Sequence, residues 1–260
     1  MALNGDQTER YARHILLKEI GGQGQQKLLS ARVLVVGAGG IGAPLIQYLV
    51  AAGIGTIGIV DDDVVALSNL QRQVLYKTAD VGLPKVERAK AAAAELNPDI
   101  TIIEHNERIT ADNAAQLIAG YDLVVEGIDN FAGRYVLNAA CMRAQTPLIS
   151  AAVGRFDGQL SVFKPFINPG TLPCYRCLVP TEPPQEAQVN CAEEGVLGAI
   201  TGVMGTLAAM EVIKEILSLG RSLAGRLLIY EGLQGQSRTI TLPADPNCVD
   251  CGQLTPIQSV

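Results

Sequence analysis

The chain has 260 residues, of which 48% are hydrophobic and 4% aromatic, with no tryptophan and a formal net charge of −6 at pH 7. A chain of this length and hydrophobicity can fill a core without cross-links. The few aromatic residues and the negative charge disfavour a nucleic-acid partner, which would need stacking rings and cationic side chains.

Neither a membrane span nor a secretory signal is predicted. The sequence has no uninterrupted apolar run of about 20 residues, the length that a transmembrane helix needs. Residues 1–30 mix acidic and basic side chains, whereas a secretory signal has an apolar centre. We therefore expect no membrane association and a cytoplasmic location, where cysteines stay reduced.

The first 150 residues alternate between strand-like and helix-like segments. Residues 6–29 read as helical with a break at Gly21-Gly22. Strands are predicted over 33–36, 56–60, 100–104, 122–126 and 147–150, and helices over 41–52, 85–96, 111–119 and 131–144. Such alternation predicts an α/β fold with a Rossmann-like, doubly wound and mainly parallel sheet that helices cover on both faces.

The pattern changes after Ser150. A strand is predicted over 159–164, and a polar crossing loop over 181–190 precedes a long helix over 196–219. Strands over 226–230 and 237–242 are expected to pair antiparallel and complete the sheet. We expect a single domain over 1–260, made of N-terminal helices (1–30), a nucleotide-binding core (31–150) and an antiparallel, zinc-binding extension (151–260).

A nucleotide site is predicted where the first two strands end. The loop Gly37-Ala38-Gly39-Gly40-Ile41-Gly42 joins the first strand to a helix, whose N-terminus offers backbone N–H groups to phosphate. Asp61 ends the second strand, where an acid can accept hydrogen bonds from ribose hydroxyls. These features alone also fit NAD, so an NAD-dependent dehydrogenase is an alternative. The segment Ser68-Asn69-Leu70-Gln71-Arg72-Gln73 favours an enzyme that binds the phosphates of ATP.

Four of the six cysteines form two Cys-x-x-Cys pairs, Cys174 with Cys177 and Cys248 with Cys251. Each pair can present two thiolates from a tight turn to one tetrahedral Zn²⁺. A redox pair is the alternative, but such a pair usually begins a helix in a thioredoxin-like setting, which neither pair has. We expect a structural zinc that staples the C-terminal segment to the crossover loop.

The other two cysteines differ in their surroundings. Cys141 lies within the predicted helix over 131–144 among small apolar residues, so we expect it in the core. Cys191 lies at the end of the polar loop, before the long helix, where a thiol can be accessible and reactive. An incidental loop cysteine is the alternative for Cys191. His14 and His105 show no pattern of catalysis or metal binding.

Several motifs occur together, in one order, over nearly the whole chain. They are Arg10-Tyr-Ala-Arg13, Gly37-Ala-Gly-Gly-Ile-Gly42, Ser68-Asn-Leu-Gln-Arg-Gln73, Gly82-Leu-Pro-Lys85, Asp129-Asn130, Cys174-Tyr-Arg-Cys177, Gly202-Val-Met-Gly205 and Cys248-Val-Asp-Cys251. With this set the chain resembles the MoeB/ThiF/HesA adenylyltransferases, which are bacterial relatives of ubiquitin-activating enzymes. The combination is specific, whereas the glycine loop alone is not.

The resemblance implies an adenylyltransferase that binds ATP and Mg²⁺. Such an enzyme adenylates the C-terminal Gly-Gly carboxylate of a small ubiquitin-like sulfur-carrier protein and releases pyrophosphate. A sulfur nucleophile then converts the adenylate to a thiocarboxylate, which serves molybdopterin or thiamine thiazole synthesis. The resemblance further implies a homodimer, and we expect a separate sulfur-donor protein. A non-catalytic scaffold that binds a carrier is another alternative, although the complete phosphate-binding set argues against it.

The resemblance also implies roles for single residues. Arg13 is expected to reach into the partner subunit's site like an arginine finger, Arg72 and Lys85 to bind phosphates, and Asp129 to bind the metal. Cys191 matches a loop cysteine associated with thioester formation or sulfur transfer. The expected nucleotide contacts are Gly39, Gly40, Asp61, Ser68, Asn69, Leu70, Gln71, Arg72, Lys85, Asp129 and Asn130, and the expected zinc ligands are Cys174, Cys177, Cys248 and Cys251.

Each of these residues also has a plainer interpretation. Lys85 could be a solvated lysine in the first turn of a helix, and Arg13 could be a surface charge. Asp129-Asn130 could simply cap the helix that follows. Asp62 and Asp63, beside the predicted ribose acid, could help to bind the metal or form only a solvated turn.

Overall fold

The computed structural model describes residues 3–184 and 195–254. Within these residues, the apolar segments form strands of one eight-stranded sheet. The first five strands are β1 (Arg32–Val36), β2 (Thr56–Val60), β3 (Thr101–His105), β4 (Leu123–Glu126) and β5 (Leu148–Val153). They are parallel and lie in the order β3-β2-β1-β4-β5. The chain therefore extends the sheet in one direction from β1 and then returns to extend it in the other.

Three antiparallel strands follow β5 across the sheet. They are β6 (Asp157–Phe163), β7 (Arg226–Glu231) and β8 (Gln236–Thr241). β8 forms the exposed edge. The predicted fold class, a doubly wound and mainly parallel sheet with an antiparallel C-terminal extension, is confirmed.

The helices agree with the sequence prediction except near the N-terminus and at the four-residue helix Tyr175–Leu178, which begins after Cys174 and was not predicted. Their bounds are α1 (Gly5–Arg10), α2 (Ala12–Ile15), α3 (Gly21–Ser30), α4 (Gly42–Ala52), α5 (Lys85–Leu96), α6 (Ala114–Ile118), α7 (Phe131–Ala144), α8 (Tyr175–Leu178) and α9 (Gly198–Leu217). The prediction of helix over 6–29 with one break is partly wrong, since residues 16–20 are not helical. Leu16 and Leu17 are exposed in this connection, so their side chains give the segment no buried face that would favour a helix.

The two faces of the sheet bury alternate residues of each strand. In β1, Val33 and Val35 belong to the core that packs under α4 and α9, whereas Leu34 and Val36 pack against α6 and α7. This alternation follows from the two-residue period of a strand. α4 and α9 approach each other closely, since a Cβ on Gly205 would overlap the carbonyl oxygen of Ile41. Among the helices of the described residues, none is long and apolar enough to cross a membrane.

Candidate active site

A cleft of about 830 Å³ opens at the carboxyl ends of the central parallel strands. Its walls include the end of β1, the residues that follow β2 and the loop that follows β4. The chain reverses its direction of sheet growth between β1 and β4, and open α/β sheets bind their ligands at such a point. The volume lies within the range of about 300–1,000 Å³ that is usual for ligand pockets.

The glycine loop after β1 is fastened to the end of β2. The backbone N–H of Ala38 donates a 2.7 Å hydrogen bond to Oδ2 of Asp61, and the hydroxyl of Tyr76 donates a 2.8 Å bond to the Ala38 carbonyl. A Cβ on Gly42 would overlap the carbonyl oxygen of Gly37, so this turn requires glycine. Gly39 and Gly40 line the cleft.

Asp61 lies where the sequence predicts a ribose acid, and its carboxylate also organises the cleft. Oδ1 accepts a 3.0 Å hydrogen bond from the backbone N–H of Asp63 and lies 3.8 Å from Nζ of Lys85. Burial raises the pKa of Asp61, and the nearby Lys85 ammonium and the hydrogen bonds oppose that rise. The carboxylate therefore joins the glycine loop, the turn after β2 and the start of α5.

Lys85 is buried, with 4% of its surface exposed, so its interpretation as a solvated lysine is wrong. It is the first residue of α5 and lines the cleft. Its Nζ donates a 2.7 Å hydrogen bond to Oδ2 of Asp63, whose side chain is mostly exposed. The cleft thus holds a cationic group at a fixed position among carboxylates.

Arg72 and Asn69 approach the cleft from a short 3-10 turn over Leu67–Asn69. The backbone N–H of Arg72 donates to the Asn69 carbonyl at 3.0 Å, and its Nη1 donates to the Ser68 carbonyl at 3.1 Å. Ser68 therefore supports Arg72, although it does not line the cleft itself. Leu70 packs against the core and Gln71 lies against Gly198 at the start of α9, so neither lines the cleft.

For Asp129 and Asn130 the sequence left open metal binding or capping of the following helix, and the two residues differ in their contacts. Both line the cleft in the loop between β4 and α7. The side chain of Asn130 accepts a 2.8 Å hydrogen bond from the backbone N–H of Gly133 and caps α7. Asp129 is exposed at the cleft wall, where its carboxylate can meet a bound cation or a phosphate-bound metal.

Sequence reasoning missed a buried network beneath this loop. Glu126, with 1% of its surface exposed, accepts hydrogen bonds from the Ser150 hydroxyl and from the backbone N–H of Ile128, the latter at 3.0 Å. Its Oε1 lies 3.5 Å from Nε of Arg134, and Nη2 of that arginine donates to the Ile128 carbonyl at 2.7 Å. Burial raises the pKa of Glu126, while Arg134 and these hydrogen bonds lower it. An acid at the end of an apolar strand was the available signal.

A second ion pair lies at another wall of the cleft. Nε of Arg108, in the loop after β3, lies 3.2 Å from Oδ2 of Asp62. Asp62 and Asp63 therefore pair with Arg108 and Lys85 respectively. The two carboxylates thus lie beside cationic side chains at the walls of the cleft.

The four predicted zinc ligands converge. Sγ of Cys174 lies 3.7 Å from that of Cys248, Sγ of Cys177 lies 3.4 Å from that of Cys251, and all four sulfur atoms lie within 4.8 Å of one another. Four sulfurs at the Zn–S distance of about 2.3 Å are about 3.8 Å apart in a tetrahedron, so the cluster fits zinc. Burial and the neighbouring thiols raise the pKa of Cys174 to about 12, so a thiolate there needs a cation.

Several predicted residues lie away from the cleft. Arg13 is exposed on α2 and does not line it. Cys191 lies outside the described residues, as does most of the crossing loop. Cys141 is buried in the core as predicted, and burial raises the pKa of its thiol. His14 contacts Gln25 and His105 contacts Tyr121, so both histidines are satisfied by neighbouring side chains.

Comparison with known proteins gives the family. The ThiF family matches residues 11–250 of this chain. The chain belongs to the ThiF family. The resemblance to MoeB/ThiF/HesA adenylyltransferases that the motifs indicate is confirmed.

Two similar proteins have names that describe an activity. The adenylyltransferase and sulfurtransferase MOCS3 of Anopheles gambiae is 50% identical over 252 residues, which are 96% of this chain and 56% of that protein. The sulfur carrier protein adenylyltransferase of Thermus thermophilus is 45% identical over 248 residues, 95% of this chain and 92% of that protein. The chain thus spans about half the length of the MOCS3 relative and nearly all of the Thermus one.

A solved structure of a ThiF-like fold was determined with a nucleotide. The structure of E. coli MccB with ATP superimposes with a TM-score of 0.79 at 25% sequence identity, over 94% of this chain and 75% of that one. The similarity therefore extends over most of this chain.

Proposed function

We propose that this protein uses ATP to adenylate the C-terminal Gly-Gly carboxylate of a small ubiquitin-like sulfur-carrier protein. The observation that carries the proposal is the convergence of Arg72, Lys85 and Asp129 around the glycine loop in one cleft. The names of the MOCS3 and Thermus relatives support an adenylyltransferase, and the MccB structure supports ATP as the nucleotide. A dehydrogenase or a non-catalytic scaffold would leave these phosphate-facing residues without a task.

The reaction needs charge stabilisation more than proton transfer. An oxygen of the carrier carboxylate attacks the α-phosphorus of ATP, and the bond from that phosphorus to the β-phosphate oxygen breaks as pyrophosphate leaves. The nucleophile is already ionised, so no base has to remove a proton. Arg72 and Lys85 lower the barrier by holding the phosphates and the leaving group with fixed positive charge.

Asp129 is the residue that we assign to Mg²⁺. A carboxylate oxygen is the ligand that this ion prefers, and the exposed Asp129 carboxylate at the cleft wall would hold the ion. A bound Mg²⁺ would supply positive charge that neutralises the phosphates. Asn130 holds the start of α7 beside it.

Of the other predicted nucleotide contacts, we assign to the nucleotide those that line the cleft. A carboxylate has about four acceptor positions, so Asp61 can accept from a ribose hydroxyl in addition to its bonds to Ala38 and Asp63. Gly39 and Gly40 let the nucleotide approach the backbone. Ser68 contributes through its carbonyl, which accepts a hydrogen bond from Arg72, whereas Leu70 and Gln71 lie outside the cleft.

The four-cysteine cluster is assigned a structural Zn²⁺. Four thiolates fill a tetrahedral zinc, so no position remains for a substrate. The ion joins α8 to the segment after β8, and its contribution is to stability.

The proposal also includes the subunit arrangement and the sulfur transfer that the resemblance to the family implies. The enzyme is a cytoplasmic homodimer in which Arg13 of each subunit serves the cleft of its partner. A separate protein donates the sulfur, Cys191 takes part in its transfer, and the thiocarboxylate enters molybdopterin or thiamine thiazole synthesis.

Carrier-dependent exchange of radioactive pyrophosphate into ATP tests the central proposal. Exchange is expected with Mg²⁺ and a carrier that ends in Gly-Gly, and not with the same carrier lacking its last glycine. ATP with Mg²⁺ is also expected to raise the melting temperature, because a ligand that binds the native state stabilises it. Stabilisation by NAD but not by ATP would refute the proposed adenylation. Equal pyrophosphate exchange with the intact carrier and with the carrier lacking its last glycine would refute it too.

A further inference from the structure

One buried amide connects the two cysteine pairs. Asn138 lies on α7 with 1% of its surface exposed. Its Oδ1 accepts a 2.8 Å hydrogen bond from the backbone N–H of Tyr175, between the cysteines of the first pair. Its Nδ2 donates a 2.9 Å bond to Oδ2 of Asp250, between the cysteines of the second pair. A single side chain therefore fixes the relative position of both halves of the metal site.

A second connection runs beside the first. Nε of Arg176 donates a 2.8 Å hydrogen bond to the same Oδ2 of Asp250, so this carboxylate joins the two pairs directly. The Arg176 guanidinium lies over the ring of Tyr135 on α7, 4.2 Å from its centre, and the Tyr135 hydroxyl donates to the Val179 carbonyl at 2.8 Å. The cysteine pairs are thus attached to α7 at two positions.

The same helix forms a wall of the nucleotide cleft. Its first turns line the cleft from Phe131 to Arg134, and Asn138 lies one helical turn beyond Arg134 on the same side. Arg134 in turn binds the carbonyl of Ile128 in the loop that carries Asp129. A displacement of α7 at Asn138 therefore moves the wall that holds Asp129.

We propose that Asn138 is a positioning residue that couples metal at the four-cysteine cluster to nucleotide binding in the cleft. The proposal rests on the proposed function, since it assigns zinc to the cluster and ATP to the cleft. Such a coupling is reciprocal: if zinc tightens ATP binding by some factor, ATP tightens zinc binding by the same factor. Loss of zinc can therefore be read out without any measurement of enzymatic activity.

The first test uses the unmodified protein. Zinc release to the chromogenic chelator 4-(2-pyridylazo)resorcinol is followed with and without ATP and Mg²⁺, in the absence of carrier. ATP is expected to slow the release by about fivefold or more, the lower end of ordinary coupling between sites. Nucleotide binding is measured in the same sample by calorimetry. Because the reciprocity applies to equilibrium affinities, zinc affinity is also measured by equilibrium competition with the same chelator. A protein that binds ATP but shows neither slower zinc release nor tighter zinc binding overturns the coupling.

A pair of substitutions then tests Asn138 itself. Asn138→Asp keeps the acceptor for Tyr175 but loses the donor for Asp250 and places two carboxylates together. We expect this variant to release zinc about tenfold faster, because losing a hydrogen-bonding residue that positions the metal ligands usually weakens metal binding by about that factor or more. We expect ATP to have no effect on the rate of zinc release from this variant. Adding Asp250→Asn removes the repulsion between the two carboxylates and lets the new amide donate to position 138, at the cost of the bond that Oδ2 of Asp250 accepts from Arg176. The double variant is expected to recover part of the slow release and part of its ATP dependence.

A matched control removes the same charge nearby. In the described part of the chain, the Asp245 side chain accepts a 2.9 Å hydrogen bond from the backbone N–H of Asn247, a bond that asparagine can also make. Asp245→Asn should therefore leave the ATP dependence of zinc release unchanged. An Asn138→Asp variant that keeps wild-type release and ATP dependence, or a double variant that recovers neither, overturns the role of Asn138. A protein that binds zinc but no ATP overturns the proposed function instead.

Discussion

Lys85 donates a 2.7 Å hydrogen bond to Asp63 at the edge of the cleft. The two residues differ in exposure, since the lysine side chain is buried and the aspartate is mostly exposed. An arriving triphosphate can therefore take the place of Asp63 beside the ammonium without any movement of the lysine backbone.

Separate substitutions of Lys85 and Asp63 distinguish phosphate binding by the lysine from the positioning of that lysine by the aspartate. Lys85→Met keeps the length of the side chain and removes its charge, so carrier-dependent pyrophosphate exchange should fall by about a hundredfold or more, as for other groups that stabilise charge in a transition state. Asp63→Asn should change exchange only a few fold, because its carboxylate makes no proposed contact with ATP. Circular dichroism and melting curves check that both variants fold. Equal loss in the two variants would show that Lys85 acts through Asp63.

Asp129 and Asn130 provide a second matched pair. Asp129→Ala should abolish exchange while leaving the melting temperature nearly unchanged, because the side chain is exposed and caps nothing in the described structure. Asn130→Ala should instead destabilise the fold by about 1 kcal/mol, the usual effect of losing a helix cap. Exchange and thermal unfolding are measured on both proteins. Wild-type exchange in Asp129→Ala would remove this residue from the metal site.

The cysteine cluster predicts one Zn²⁺ per chain. Cys248→Ser should lower both the zinc content, measured by atomic emission, and the melting temperature, because metal binding to a folded site is linked to folding. Cys141→Ser, a buried cysteine outside the cluster, should keep its zinc. Freshly purified, folded protein without zinc would contradict the assignment.

Asp61 predicts a dependence of stability on pH. Its pKa is raised in the folded protein, so the folded state binds more protons than the unfolded state above about pH 4. The corresponding stability is present at low pH and is lost as pH rises through the folded pKa. Asp61→Asn cannot ionise, so its melting temperature minus that of the wild type should increase from pH 4 towards neutrality. A difference that is constant with pH would show that Asp61 titrates normally.

Cys191 separates adenylation from sulfur transfer. The residue lies outside the described part of the chain, and no proposed contact with ATP involves it. Cys191→Ala should therefore retain carrier-dependent pyrophosphate exchange but slow formation of the carrier thiocarboxylate, and the two steps are assayed separately on one variant. Loss of exchange would assign the loop to the adenylation site, and full thiocarboxylate formation would show that the thiol is dispensable.

Much of the fold could be read from the sequence, because its strands and helices have strong apolar periods and clear ends. The bounds of α5 and α7 follow directly from the residues that begin and end them, Pro84 and Asn97 for one and the Asn130 cap for the other. The convergence of the four cysteines in one cluster could be predicted because two Cys-x-x-Cys pairs together supply the four ligands of one tetrahedral ion.

The supporting interactions could not be predicted. Glu126 and Arg134 meet only because β4, β5 and α7 are adjacent in the fold, and nothing in their spacing distinguishes this pair from surface charges. The buried Lys85 likewise has two carboxylate neighbours, Asp61, which the sequence predicts as a ribose acid, and Asp63, for which a solvated turn was one interpretation. The motifs thus indicated several residues that line the cleft, among them Arg72, Lys85 and Asp129, whereas the partners of these charges required the tertiary structure.

The hydrogen bond from Ala38 to Asp61 has a consequence for how the cleft recognises its ligand. The glycine loop is held by a hydrogen bond within the protein itself, so a ligand does not have to supply that contact, and less ordering entropy is subtracted from the affinity. A preorganised loop also cannot adapt to a differently shaped ligand without breaking that bond. Selectivity among nucleotides is then set by the side chains around the loop, and exchange of those side chains is the route by which this scaffold could acquire a different nucleotide.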